Sequence, residues 1–275
     1  MSKILIVIGV VVFAIACRTY QTPLIRRLGG LAILAASFLG PYFARGSLAV
    51  GVLGACFWFI LPWFEILTRI RAMRLPLERE LEERWPPRGQ NFPELDTLTE
   101  EIEEEGFEQL ADTGWSWEGM DQFIRVFFRE EDRLQAAIFF TEQEGMSFYH
   151  TGLITRTSED RHLLTWNYPF SYTMLLPPGM QMHRVSTSDD PAGGFSKLVR
   201  AHLEWLAVEA IDPASSLPLT AEELDEVMRQ DMRRQVEHNL DEGIIMLADE
   251  GTFRYSVKGY FFLWTRIVLD MLRLV

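Results

Sequence analysis

Five histidines are the residues best suited to chemistry in this chain, and their neighbours decide what that chemistry is. His150 and His162 fall on adjacent expected strands, with Asn167, Asp160 and Glu159 close by in sequence. Brought together across a hairpin, these groups would make an acid–base site. His183 follows a double proline, and His202 and His238 lie on expected helices. No histidine pair shows the i, i+4 zinc spacing with a glutamate between, and no cysteine accompanies them, because Cys17 and Cys56 both precede residue 75. A disulfide framework, a zinc–thiolate centre and a cysteine nucleophile are therefore excluded from the rest of the chain. Gly193-Gly194 ahead of a helix would offer free N–H groups to an anion, but Asp189-Asp190 stand just upstream. There is no phosphate loop, dinucleotide fingerprint or Gly-x-Ser-x-Gly elbow. The expectation is a protein that is not an enzyme, with no catalytic residues, metal or cofactor. The histidines then serve as polar residues on strand surfaces and core edges.

The elements that position them split by charge. Residues 1–74 hold eight Lys/Arg and one acid, Glu65, for +7, while the other 201 residues carry −20. Three apolar stretches lie in the basic part: Ile4–Cys17, Leu28–Ala44 and Ser47–Leu67. A bilayer core of about 30 Å takes roughly 20 helical residues to cross, which the third stretch meets outright. The first is shortest and spans only if Lys3 and Arg18 reach the interface. Its end, Ala14-Ile15-Ala16-Cys17, resembles the lipobox of bacterial lipoproteins, which implies a cleaved signal as the rival reading. Residues 1–74 are thus expected to form an anchor of about three transmembrane helices. Arg18, Arg26, Arg27, Arg69, Arg71 and Arg74 fall on one side, against Lys3 and Arg45 on the other. That asymmetry predicts a multi-pass plasma (inner) membrane protein with its large domain in the cytoplasm.

Small residues recur at helical spacing within the anchor: Ala32, Ala36 and Gly40 on the second stretch, Gly51, Gly54 and Ala55 on the third. They suit close helix packing, either inside the hairpin or against another membrane subunit. No Asp, Lys or His lies mid-span, which argues against a transporter or channel.

Residues 75–91 read as a charged, helix-favouring connector broken by Trp85-Pro86-Pro87-Arg88-Gly89. Residues 92–210 read as an α+β domain. A helix is expected over Glu94–Gly106. Strands follow at Phe107–Thr113, Gln122–Arg129, Leu134–Glu142, Met146–Thr157 and Arg161–Tyr168, with Met180–Val185 as a sixth and Phe195–Ala210 as a helix. Short connections at Glu130–Arg133, Gln143–Gly145 and Ser158–Asp160 predict an antiparallel sheet with packed helices. Residues 211–218 form a linker. Residues 219–275 hold a helix opened by the Thr220/Glu223 capping box, a hairpin turning at Asp249-Glu250-Gly251, and an apolar last helix.

That helix–hairpin–helix resembles the close of a winged-helix domain, but acids outnumber arginines on its first helix and the domain would repel phosphate. No nucleic-acid partner is expected. The last helix, YFFLWTRIVLDMLRLV, carries Arg266, Asp270 and Arg273 as one polar stripe and exposes Phe261, Phe262, Leu263 and Trp264. It is expected to lie on membrane lipid, or against the anchor or another protein. Residues 90–258 are expected to hold one autonomous core. Surplus aromatic surface around residues 115–172 points to contact with a partner. The whole reads as a non-catalytic scaffold or accessory subunit of a larger membrane protein assembly. A tethered regulator or sensor with a partner-binding domain is the alternative.

Overall fold

Strict alternation on the central strands dictates the architecture. In β4 (Met120–Arg129), Phe123, Phe127 and the stem of Arg125 point to one face, while Gln122, Ile124 and Val126 point to the other. Both faces must therefore be covered. The computed structural model describes residues 2–18, 23–143, 145–186, 194–212, 220–249 and 251–274. Asp189-Asp190, Gly193, the core of the 211–218 linker and Glu250 of the hairpin turn lie outside these.

A seven-stranded sheet runs β2 (Glu82–Glu83), β3 (Glu108–Trp117), β4, β5 (Leu134–Gln143), β6 (Met146–Arg156), β7 (His162–Trp166), β8 (Met180–Arg184). One face packs on α4 (Leu95–Glu104) and α5 (Gly194–Val208), around Phe107, Phe127, Leu134, Ile138, Leu153 and Leu198. Arg125 forks onto Asp112 at 2.8 and 2.8 Å and reaches Thr99 of α4, tying helix to sheet. The other face meets Leu224 and Met228 of α6 (Ala221–Asp241) over Trp115, Ile124, Val126 and Ala137.

The expectation of a wholly antiparallel sheet needs correction at one edge: β8 pairs parallel to β7. A parallel neighbour needs a crossover of about a dozen residues or more. Residues 167–179 supply it, and this segment is fixed by its own hydrogen bonds. Leu175 N–H donates to Asn239 Oδ1 at 2.8 Å, and Asn239 Nδ2 returns a bond to Leu175 O at 2.9 Å.

The connector expected over 75–91 is extended rather than helix-like. Leu75-Pro76 (β1) pairs with β10 (Thr252–Tyr255), and Glu82-Glu83 (β2) pairs with β3. Leu75 and Leu77 pack on the second core and Leu81 on the sheet face under α6, so all three turn inward. That tertiary gain overrides the helix propensity of the intervening Glu and Arg. The first hairpin is also longer than expected. β3 continues to Trp117, and Glu118-Gly119 turns with φ of 41° and 81°, the two left-handed residues of a tight hairpin.

β9 (Ile245–Leu247) and β10 join β1 in a second sheet, order β1-β10-β9. Phe253 and Tyr255 are buried there with Ile66, Met174 and Leu263, so this hairpin is part of a core and departs from a protruding wing.

The basic part forms α1 (Ser2–Arg18), α2 (Pro23–Arg45) and α3 (Leu48–Glu65), with α1 and α3 both packed on α2. Leu28–Arg45 and Leu48–Ile70 are long and apolar enough to cross a membrane; Lys3–Cys17 is shorter. Pro62 interrupts the hydrogen-bond ladder near the end of α3, and the following turn, Ile66–Ile70, widens to π-helical bonding with Arg71 N–H on Ile66 O at 2.8 Å. α7 (Val257–Leu274) lies between the N-terminal helices and the sheet. Trp264 Nε1 donates to Phe59 O at 2.7 Å and stacks on Trp63, while Val268 and Met271 stand beside Gly30, Ile33 and Leu34 of α2. From its neighbouring face Leu263 enters the second core, and buried Asp270 accepts from Ser171 N–H and Oγ, both at 2.6 Å.

Candidate functional site

The sheet face opposite α4 and α5 is only partly covered by α6. Beyond Met228 it lines a half-open cavity of about 840 Å³. Its floor is the outward set of every strand from β3 to β8, including Trp115, Phe139, Phe148, His150, Trp166 and Met182. Its roof is α6 with Met232, Asp231 and Gln235, and its remaining wall is residues 68–75, the segment leaving α3, with Tyr172, Tyr255 and Leu263. The aromatic residues concentrated in sequence between 115 and 172 thus line a shared interior space as well as fill a core.

The histidines separate on this floor. His150 stacks flat on Phe139 at 4.7 Å, with Trp166 and Tyr168 against its edges. Burial pushes it down to about 4, and its Nδ1 has no hydrogen-bond partner. His162 pairs in register with Arg156, six positions along β6 from His150, about 20 Å at strand rise. It places Nδ1 3.0 Å from Asp231 Oδ1. Burial pushes the Asp231 carboxyl up, but the hydrogen bond from His162 and the charge of Arg156, whose Nη2 sits at 2.6 Å, bring it below the usual range. Asn167 faces neither: its Oδ1 accepts from Thr151 N–H at 2.7 Å. His150, His162 and Asn167 do not converge into an acid–base site, because strand register holds the two imidazoles six positions apart along β6.

Two of the remaining three histidines have packed partners. Fully buried His202 bonds Thr155 Oγ1 at 2.9 Å through Nε2 and Thr165 Oγ1 at 2.8 Å through Nδ1, and burial lowers it to about 4. His183 sits edge-on to Trp205. Among the described residues no group of three or more His, Cys, Asp or Glu is placed to hold a metal ion.

No protein-family model, curated protein or solved structure matches the chain, so the chemistry of the cavity rests on its own residues.

One such residue was invisible in the sequence. Arg79, in the stretch read as a connector, places its guanidinium 4.5 Å over the Trp115 ring. Burial lowers it, with the Tyr172 and Tyr255 phenols nearby acting the other way. The signal that would have found it is the Leu75–Leu81 alternation, which makes this segment a cavity wall.

The residues of α2 and α3 with close-packing spacing take different surroundings. A Cβ at Gly54 would meet Ser37 O at 2.4 Å and Pro41 Cγ at 2.6 Å, and one at Gly51 would meet Phe38 and Tyr42, so the α3 glycines pack directly on α2. Ala55 is half-buried beside them. On α2, Ala32 is buried and Ala36 half-buried, but a Cβ at Gly40 would meet nothing within 4 Å. On α7, Phe262 lies under the Arg266 guanidinium at 4.9 Å, Trp264 is half-buried against Trp63, and Phe261 touches Trp63 edge-on while staying 57% exposed.

Proposed function

We propose that this chain is a non-catalytic, membrane-anchored scaffold or accessory subunit that holds an α+β unit rigidly at a membrane surface for a larger protein assembly. The observation that carries this reading is the bracing of unit to anchor by α7. Trp264, Val268 and Met271 engage α2 and α3 on one face, and Leu263 and Asp270 engage the sheet unit on the next. A freely tethered domain has no need of such a brace. Exposed Leu5, Val12, Leu31, Leu53, Phe57 and Leu67 on the helices of the basic part support lipid as their surroundings. The excess of arginine after the first and third spans supports three spans and a cytoplasmic unit in the inner membrane. A second reading, a tethered regulator or sensor, is favoured by one specific feature, the cavity.

Substitution separates this proposal from an enzyme. His150→Gln with His162→Gln is expected to leave the cellular function intact, because the pair shares no site. Ala36→Leu with Gly40→Leu is expected to leave the hairpin folded, since Gly40 has open space, yet to shrink the native complex on gentle detergent extraction if this face seats a neighbouring helix. Gly54→Leu, by contrast, is expected to disrupt the α2–α3 hairpin itself. Loss of function from the histidine pair, with complex size unchanged, would refute the scaffold.

A further inference from the structure

We propose that the cavity on the sheet is a binding site for an anionic amphiphile with a single apolar chain, its acidic head held by Arg79 and Tyr172. The site carries a surplus of donors. Arg79 is a guanidinium set over an indole, and no carboxylate among the described residues pairs with it. Tyr172 O accepts from Gln235 Nε2, which leaves the phenolic proton to be given away. Asp231, the carboxylate of the cavity roof, is already engaged by Arg156 and His162 and does not neutralise Arg79. A half-buried cation and an uncommitted O–H in the same wall are complementary to a carboxylate or phosphate head.

The rest of the lining suits a hydrocarbon chain. Aromatic and methionine side chains recur across the floor and roof, among them Trp115, Phe139, Trp166, Met182, Met228 and Met232, and methionine adapts to a flexible apolar guest. The volume of about 840 Å³ falls within the roughly 300–1,000 Å³ of small-ligand sites, which is room for one hydrocarbon chain. The wall formed by residues 68–75 continues from α3 and its π-helical turn, whose exposed residues Phe57, Phe64 and Leu67 are apolar. The site therefore adjoins the surface from which such an amphiphile would come. It stands whether or not the chain has protein partners.

The test is binding of tritiated palmitate to the full-length protein held in amphipol. Saturable binding near one per chain is expected, displaced by unlabelled palmitate but neither by methyl palmitate nor by inorganic phosphate. Arg79→Gln is expected to weaken it by about tenfold or more, the loss of a charged hydrogen bond, with Arg79→Lys retaining part. Gly152→Phe is expected to abolish it. A Cβ there meets Thr165 O and Trp166 Cβ at 3.6 Å, ordinary contact, and the ring enters the cavity. Absence of saturable binding by the folded wild type overturns the proposal. So does equal competition by methyl palmitate, which removes the anion, or by phosphate, which removes the chain. If Gly152→Phe fails to fold, Arg79→Gln carries the test alone, and wild-type affinity in that variant overturns it.

Discussion

Acidification from pH 7 to pH 4 is expected to remove about 6 kcal/mol of folding stability, roughly 3 kcal/mol for each of two buried histidines. His150 and His202 are both held at about 4 in the folded state by burial; for His202, Asp132 and His183 act in opposite directions and more weakly. Their folded values are depressed. The unfolded chain therefore takes up protons first, near 6.5, and the stability present above that value drains away as the pH falls through 4. Asp231, whose carboxyl also sits below its usual range, adds loss in more acidic solution. Chaotrope unfolding of the full chain at pH 7, 5.5 and 4.5 measures the slope. His150→Gln is expected to remove about half of it, since His150 Nδ1 forfeits no hydrogen bond. A flat profile, or an unchanged slope in that variant, would contradict the burial of these rings.

Asp270→Ala is expected to cost about 3–5 kcal/mol and to free residues 167–179 from α7. The carboxylate accepts from Ser171 N–H and Oγ and stands 3.8 Å from Arg184, so its removal leaves a buried backbone N–H without its acceptor and a cation without its counter-charge. Asp270→Asn is expected to cost less, because the amide oxygen still accepts one of the two bonds. Hydrogen exchange localises the effect: faster exchange at Ser171 and across the crossover, with β4 and β5 unchanged. Uniform acceleration throughout the sheet would show that the crossover has no separate role.

Elements defined by their own periodicity were readable from the chain. The alternating strands β4, β5 and β6 and the amphipathic α5 announce themselves, as do the apolar helices, because each pattern is local. What was not readable depends on partners far away in sequence. Leu75 and Pro76 become a strand only because Phe253 and Thr252 lie beside them. β8 becomes parallel only because Ser171 and Leu175 are pinned by Asp270 and Asn239, about 99 and 64 residues on. For the same reason residues 90–258 lack part of the fold: β1, β2, Leu81 and Leu263 all lie outside that range yet help to form the cores. The candidate site was only half legible. Its aromatic floor showed as composition, whereas Arg79 was hidden in a segment whose charge resembled a solvated connector, and register alone decided that His150 and His162 stay apart.

In the proposed arrangement, α7 braces the unit against the N-terminal helices on the cytoplasmic side and does not cross as a further span. Reporter fusions after Leu75 and at Val275, compared in intact cells, test it most directly. Cytoplasmic reporter activity is expected at both positions, because in the proposed arrangement α7 starts and ends on the same side as the sheet unit. Exterior activity at Val275 with cytoplasmic activity after Leu75 would contradict it.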